Sequence, residues 1–437
     1  MRKNKSLTIL IALIIMSMLA FTGCGKKSEP AEQSKETGAK KLAGTSITVL
    51  LPPWYEFSPA MLKEFTKETG IKVDLQIMDW DPLLDKIVTA YAAGVAPADV
   101  TEMNWDWVGK FGAAGWCEPL NDHFAPEFFE DITTKDLFKY KDKYIAIPIY
   151  NDFRVTYINK AYYQKAGITE MPKTPDELMQ NAITIKKQKV CEYPLMVPFT
   201  ATGATTTPWY LLTKAYGGEL LGQNHEPLFA AKDSAGYKAM EFLIKGLKDY
   251  KVIDPASIGW KGTDVVDNFK AGQGAIDLAG WAGNVTAYSN VKESKIADSV
   301  QVIKVPGLNG KSRTYGLQEG LAIPAQSKNK EAAVEFIRWL NTPENVEKLF
   351  IDKGIFPNHL STISKLAADG KIPGGQTMVE VLPTIESLFP EGVPEWNMEF
   401  ETEAFTTMNQ MAKGSLSVEQ GMSHLVDTVN KLNKSKS

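Results

Sequence analysis

The chain has 437 residues, of which 44% are hydrophobic and 23% are charged, so it can bury a large core and is long enough for two or three domains. Its formal net charge of -4 argues against a nucleic acid partner, because neutralising phosphates requires Lys and Arg clustered on one surface.

The N-terminus has the pattern of a signal peptide over residues 1–23. It starts with basic residues and continues with an apolar run over residues 7–21, which is shorter than the ~20 residues of a membrane-spanning helix. The residues leading into Cys24 resemble a bacterial lipobox, in which the cysteine is diacylated through sulfur and becomes the new N-terminus; Phe21 stands where that motif usually has Leu. We expect a lipid anchor at Cys24. The alternative is an ordinary secretory signal in which Cys24 has no role.

Residues 24–44 contain many Lys, Glu, Ser, Gly and Ala and almost no bulky apolar side chain. Burial cannot offset the entropy of ordering such a segment, so we expect a flexible tether.

The two other cysteines are Cys117 and Cys191. We expect both to be buried free thiols, because the fold inferred below places them in different lobes, where a disulfide would block relative motion.

Beyond the tether, strands alternate with helices. Residues 47–51 form an apolar run typical of a buried strand, and residues 71–77 alternate as a half-buried strand should. Between them, Ser58 and the following proline predict the start of a helix over 59–70. Another helix is predicted over 81–94 from its apolar spacing. This order indicates βαβ units and a mostly parallel sheet.

The same alternation continues toward the C-terminus. Thr174, followed by Pro, Asp and Glu177, is a capping box that predicts a helix start, and Thr342 is an N-cap. The other predicted elements are strands at 144–149 and 154–158 and helices at 331–340 and 343–352.

Two segments carry a more specific pattern. Residues 269–276 read Phe-Lys-Ala-Gly-Gln-Gly-Ala-Ile and are followed by Gly280 and Trp281. Residues 322–324, Ala-Ile-Pro, are followed over 327–340 by a polar loop and a helix rich in apolar residues. Three shorter segments are considered together with these two: 66–73, 94–100 and 157–168.

Taken in order, these segments resemble the family of extracellular solute-binding proteins that includes the maltodextrin-binding protein and other carbohydrate receptors of ABC importers. The resemblance covers nearly all of residues 46–434. It implies an α/β fold of the type II periplasmic-binding-protein class, with two lobes, each a mostly parallel sheet flanked by helices, joined by crossing segments. It places lobe 1 at 45–151 and 315–365, lobe 2 at 152–314 and 366–434, and the ligand in the cleft between them.

A sugar presents hydroxyls that need hydrogen bonds and a C–H face that stacks on aromatic rings, so its site needs carboxylates, amides and aromatic rings together. Such mixtures follow the predicted strands, where ligand sites of open α/β sheets lie. The candidate ligand-binding residues are Trp54, Glu56, Trp105, Asp106, Tyr150, Asp152, Arg154, Trp281, Gln318, Glu319 and Trp396.

By resemblance, Asp106 and Asp152 stand where the family uses carboxylates to bind sugar hydroxyls, and Trp281 and Trp396 stand at stacking positions. Core packing is an equally good interpretation for three tryptophans, Trp54, Trp105 and Trp396. Trp339 is spaced for core packing on its helix.

Other chemistries have little support in the sequence. The four histidines share no metal-ligand spacing with Cys or acids, and neither a G-x-S-x-G elbow nor a G-x-x-x-x-G-K-[ST] loop occurs. We therefore expect no metal, no cofactor and no catalytic residue.

The sequence predicts a monomeric, extracytoplasmic lipoprotein that captures a sugar or oligosaccharide and delivers it to the membrane subunits of an ABC importer. Within the same fold, the alternative is a receptor for a polyamine or peptide. From another class, the alternative is a secreted carbohydrate-active enzyme that uses Asp106 and Asp152 as its carboxylate pair. A sensory lipoprotein would share the same cleft.

Overall fold

A computed structural model describes residues 42–435. The predicted signal peptide, the predicted lipidation site Cys24 and most of the predicted tether lie outside these residues. The last tether residues, 42–44, are part of the folded structure, because Leu42 packs against a core and the N–H of Gly44 donates to the carbonyl of Gly70 at 2.9 Å. Between residues 42 and 435, no helix is both long enough and apolar enough to span a bilayer.

The strands of the described region are short, as is usual for sheets flanked by helices. They are β1 Ser46–Leu51, β2 Lys72–Ile77, β3 Val100–Asn104, β4 Lys139–Tyr140, β5 Lys143–Tyr144, β6 Ile147–Pro148, β7 Arg154–Asn159, β8 Leu195–Met196, β9 Ile276–Trp281, β10 Val300–Ile303, β11 Thr314–Tyr315, β12 Glu319–Ala322 and β13 Ile385–Glu386.

The α-helices surround these strands. They are α1 Pro59–Thr69, α2 Trp80–Ala92, α3 Val108–Ala113, α4 Pro126–Glu130, α5 Lys160–Lys165, α6 Pro175–Lys187, α7 Thr206–Ala215, α8 Ala235–Lys248, α9 Gly262–Lys270, α10 Asn284–Tyr288, α11 Lys330–Leu340, α12 Pro343–Lys353, α13 Leu360–Ala368, α14 Gly375–Val381, α15 Asn397–Lys413 and α16 Val418–Ser435.

Helix starts follow the predicted caps. The side chains of Ser58, Thr174 and Thr342 each accept a hydrogen bond from the backbone N–H three residues later, at the starts of α1, α6 and α12. The Glu177 carboxylate accepts from the N–H of Lys173, one residue before the cap, rather than from the cap itself.

Two sheets form the centres of the two lobes. The first has the order β2-β1-β3-β12-β6, and the second has the order β10-β7-β9-β8. In the first sheet β1 pairs in parallel with β2 and β3, whereas β12 runs antiparallel to β3 and β6. In the second sheet only β8 and β9 pair in parallel. The prediction of mostly parallel sheets is therefore wrong: both are mixed, because strands that enter from the other lobe run against their neighbours.

One predicted strand is divided. Residues 144–149 were expected to form a single strand, but β5 closes a hairpin with β4 while β6 pairs with β12 of the first sheet. The two pieces have different partners, and the strand is interrupted between them at the buried residues Ile145 and Ala146.

The chain passes between the lobes in three segments, 149–153, 316–318 and 354–359. The N–H of Leu317 donates to the carbonyl of Asp152 at 2.8 Å, and the N–H of Asn151 donates to the carbonyl of Phe356 at 3.0 Å. These two hydrogen bonds join the three segments. Helix α13 packs through Ile363 and Leu366 in the core beside β7 of the second sheet. The packing of α13 favours a third crossing before this helix, while the lobe boundary expected from the sequence, between 365 and 366, stays a prediction.

Candidate ligand-binding cleft

The first wall of the cleft combines aromatic rings with a carboxylate. Trp54 lies just after β1, and its Nε1 donates to Glu319 Oε2 on β12 at 2.6 Å. The indole is 48% exposed, so one of its surfaces is open to a ligand. Its ring centroid is 5.4 Å from that of Trp80, and Tyr55 beside it lies 5.7 Å from the ring of Tyr150.

Two acids lie within this wall. Burial raises the pKa of Glu319 to about 7, against the lowering effect of hydrogen bonds from Trp54, Tyr55 and Tyr150. Glu102 on β3 is fully buried with both carboxylate oxygens unpartnered, and burial and then the charge of Glu319 raise its pKa. An unpartnered buried carboxylate is costly to ionise, so burial disfavours the charged form of Glu102.

The second wall is built on β7 and β9, where Arg154 and Trp281 are directly opposite each other. The guanidinium lies 5.3 Å from the centre of the Trp281 ring and 3.2 Å from Asp152 Oδ2. Trp281 is 42% exposed, so the indole keeps an open surface for a ligand. Burial raises the pKa of Asp152 to about 6 although Arg154 lowers it.

Polar atoms at the cleft floor lack partners within the protein. Among the described residues, Asp152 Oδ1, Arg154 Nε and Nη1, and Gln318 Oε1 are buried without a hydrogen bond. The amide nitrogen of Gln318 is held by Asn151 Oδ1 at 2.9 Å, which fixes its unpartnered oxygen in place. Because buried polar groups are normally paired, these atoms are the ones a polar ligand would satisfy.

A third group of side chains joins the two lobes. Asp106, just after β3, accepts a hydrogen bond from Asn104 Nδ2 at 2.5 Å, and residues 105–107 pack against α15, which carries Glu401. Glu401 also accepts from Thr206 Oγ1 at 3.2 Å, at the start of α7. Burial raises the pKa of Asp106 to about 7, and burial followed by the charge of Asp106 raises that of Glu401.

Around this pair the lobes touch directly. Trp105 is buried, with its ring centroid 6.3 Å from Phe389 of lobe 2. The Tyr140 hydroxyl donates to Glu395 Oε1 at 3.0 Å. Gly109 on α3 faces the carbonyls of Val393 and Pro394 so closely that any Cβ would overlap them.

Three of the sequence candidates differ from the others in their surroundings. Trp396 is 3% exposed in the core of lobe 2, packed on Phe400 and donating from Nε1 to Asn433 at 3.2 Å, so its ring presents no open stacking surface in this structure. Glu56 is exposed to solvent, and its buried neighbour Tyr55 points inward instead. Trp105 serves the contact between lobes rather than an open stacking surface.

Sequence reasoning missed Glu102, Asp277 and Glu401. Asp277 is buried on β9 and accepts from the Tyr288 hydroxyl at 2.6 Å, and burial raises its pKa to about 6. Two of these three acids have a sequence signal that could have identified them. Glu102 interrupts a buried strand, and Glu401 lies on the buried face of α15. A charged residue on an otherwise apolar face is a candidate functional residue.

Metal chemistry has no evident donor set in the part of the chain that the structure describes. No group of three or more His, Cys, Asp or Glu side chains there is arranged to hold an ion. Cys117 and Cys191 are free thiols, as expected, although Cys191 is only partly buried.

Comparisons with known proteins agree with this architecture. The family model for bacterial extracellular solute-binding protein matches residues 51–347. A probable amino-acid ABC transporter periplasmic-binding protein from Sinorhizobium fredii is 25% identical over 76% of this chain and 77% of its own. The erythritol/L-threitol-binding protein from Mycolicibacterium smegmatis is 25% identical over 82% of this chain and 81% of its own.

Among solved structures, an ABC transporter solute binding protein from Thermotoga lettingae, bound with alpha-D-tagatose, is 25% identical to this chain. It covers 89% of this chain and 100% of its own length with a TM-score of 0.75. The likeness over this length confirms the two-lobed fold of periplasmic binding proteins.

Proposed function

Because the chain belongs to the bacterial extracellular solute-binding proteins, we propose that it is the receptor of an ABC importer and captures a sugar, an oligosaccharide or a related polyol. The unpartnered polar atoms of Asp152, Arg154 and Gln318, set between the open indoles of Trp54 and Trp281, carry this proposal. Hydroxyls would satisfy the polar atoms while the C–H faces of a sugar ring stack on the indoles. The relatives that bind tagatose and erythritol support this ligand class.

We propose that ligand binding closes the two lobes and that the protein catalyses no reaction. A ligand that contacts Trp54 and Glu319 on one lobe and Arg154 and Trp281 on the other favours the arrangement in which both sets are near. The closed form then docks on the membrane subunits of the importer, while the lipid at Cys24 keeps the monomeric receptor at the outer surface of the cell membrane.

The anchor has a direct test. Cells fed radiolabelled palmitate should incorporate label into the wild-type chain and none into Cys24→Ser, which should appear in the soluble fraction. Equal labelling of both proteins would show that the lipid lies elsewhere.

The ligand class is tested by titrating the chain without residues 1–23 and with Cys24→Ser. This chain keeps all of the core clusters found in residues 42–435. Tryptophan fluorescence and melting temperature are followed with sugars, polyols, amino acids and polyamines. We expect one sugar or polyol to bind, and Trp281→Ala to weaken it roughly three- to tenfold because one stacking contact is lost.

Tyr250→Ala is the matched control, since this exposed aromatic residue is outside the cleft. A response only to amino acids or polyamines would overturn the carbohydrate proposal. Release of product from labelled oligosaccharides would instead identify the enzyme alternative.

A further inference from the structure

A small cavity lies in lobe 2 beside Trp281. It is enclosed by the ends of the parallel strands β8 and β9 and by the starts of α7, α9 and α10. Ligands of α/β sheets bind at such strand ends. Trp281 lines the cavity and is also 42% exposed at the second wall of the cleft, so the indole belongs to both. A ring stacked on Trp281 can therefore extend a substituent into the cavity.

The size of the cavity limits that substituent. Its volume is about 40 Å³, within a wider space of about 400 Å³ that includes the part open to solvent. A water molecule needs roughly 10–15 Å³ of cavity, so this cavity has room for about three heavy atoms. A sugar ring is larger than this. The ring therefore stays in the cleft, and only a side group enters the cavity.

The cavity walls combine apolar and polar side chains. Met196 and Val265 provide apolar surface, Thr207 provides a hydroxyl and Asn284 provides a carboxamide. Asn284 Nδ2 donates to the Tyr288 hydroxyl at 3.4 Å. A carboxamide has two N–H donors, so a second one is available to a ligand.

An acetamido group matches this combination of walls. Its carbonyl oxygen can accept from Asn284, its N–H can donate to the hydroxyl of Thr207, and its methyl group can pack on Met196 and Val265. A hydroxymethyl group would place a polar oxygen against the apolar walls. A methyl group alone would leave the polar walls without a partner.

One acid also lines the cavity. Asp277 is 3% exposed, and its Oδ2 accepts from the Tyr288 hydroxyl at 2.6 Å. A free amine could pair with this carboxyl, so the comparison of an amine with its acetamide distinguishes the two modes of binding.

We propose that the cavity beside Trp281 binds the acetamido group of an N-acetyl amino sugar whose ring stacks on the indole. This inference rests on the proposed function, because it specifies the ligand class of the same cleft. Thr207 and Asn284 are then ligand-binding residues, and the volume of the cavity selects the length of the acyl group.

The test uses sets of matched sugars, as monosaccharides and as disaccharides. Each set contains the hydroxyl parent, the free amine, and the N-acetyl and N-butanoyl derivatives of one sugar. Calorimetry is carried out on the chain that lacks residues 1–23 and carries Cys24→Ser. In one set we expect the N-acetyl derivative to bind roughly tenfold or more tightly than the hydroxyl parent and the amine, since it adds a buried methyl group and hydrogen bonds. The N-butanoyl derivative should bind more weakly than the N-acetyl derivative, because its chain exceeds the cavity.

A matched pair of variants locates the acetamido group. Gly262 lines the cavity, and a Cβ there would lie 3.2 Å from Ala204 Cβ and 3.8 Å from Trp281 Cζ2. Gly262→Ala should therefore reduce the preference for the N-acetyl derivative roughly threefold or more while the hydroxyl parent still binds. Gly259→Ala is the control, because its added methyl group would meet no atom within 4 Å. Melting temperatures of both ligand-free variants check that they fold.

Binding of a hydroxyl parent or a polyol as tight as that of any N-acetyl derivative would overturn the inference and leave the proposed function intact. So would tightest binding by a free amine or by an N-butanoyl derivative. An unchanged preference in Gly262→Ala would show that the acetamido group binds elsewhere, which also overturns the inference. Failure of every sugar and polyol to bind would overturn the proposed function, and the inference with it.

Discussion

At the scale of single residues, the cleft concentrates acids whose pKa values burial raises. Within residues 42–435 the acids are Glu102, Asp106, Asp152, Asp277, Glu319 and Glu401. A carboxyl with a raised pKa binds its proton more tightly in the folded than in the unfolded chain. The free energy of unfolding therefore falls as pH rises from the unfolded pKa, about 4, through the folded pKa.

Asp106→Asn should reduce this dependence in the ligand-free protein. Between pH 5.5 and 8 the wild type loses stability as the carboxyl, with its pKa near 7, ionises beside Glu401. An amide does not ionise, so the variant should lose about 1–2 kcal/mol less over the same interval. Urea unfolding of both proteins at pH 5.5 and pH 8 measures this difference in lost stability. His359 and the other titrating groups are present in both proteins, so their contributions cancel. A loss equal to that of wild type would show that Asp106 is ionised throughout.

Three of the candidate residues predicted from the sequence share a position in the fold. Trp54, Asp152 and Trp281 lie at the ends of strands or in segments that cross between the lobes. Ligands of open α/β sheets bind at such strand ends, so the sequence can predict these positions. Trp396 has the same polar neighbours in sequence, but α15 turns its ring onto Phe400, and only the packing of distant helices decides that direction.

At the scale of elements, local sequence patterns were sufficient to predict where helices start but not how strands pair in the sheets. The caps at Ser58, Thr174 and Thr342 act within four residues, so the sequence identifies them directly. The direction of β12 depends on pairing with β3, which is far away in sequence, and alternation alone cannot show whether that pairing is parallel.

Helix α3 provides a test of the contact between the lobes. Gly109→Ala adds a methyl group that overlaps the carbonyls of Val393 and Pro394, so the lobes cannot reach the arrangement seen here. We expect ligand affinity to fall about tenfold with little change in melting temperature of the ligand-free chain, since the overlap arises only when the lobes meet.

Gly259→Ala is the control for that experiment, because its added methyl group would meet no atom within 4 Å. Wild-type affinity in Gly109→Ala would mean that ligand binding does not require this contact.

At the scale of the whole molecule, closure predicts a change of size. A compact fold of residues 42–435 has a radius of gyration of about 21 Å, and separated lobes exceed that value. Small-angle scattering should therefore show a decrease toward about 21 Å as the ligand is added, and a smaller decrease in Gly109→Ala. An unchanged radius at saturation would rule out closure as the response to ligand.

The position of β12 in the first sheet also bears on the order in which the chain can fold. This strand lies between β3 and β6, so the sheet remains divided until residue 322 has been synthesised. Such distant pairing gives a high contact order and slow folding. A nascent chain that cannot finish its first lobe early stays extended for longer, which suits passage through a protein-conducting channel before folding outside.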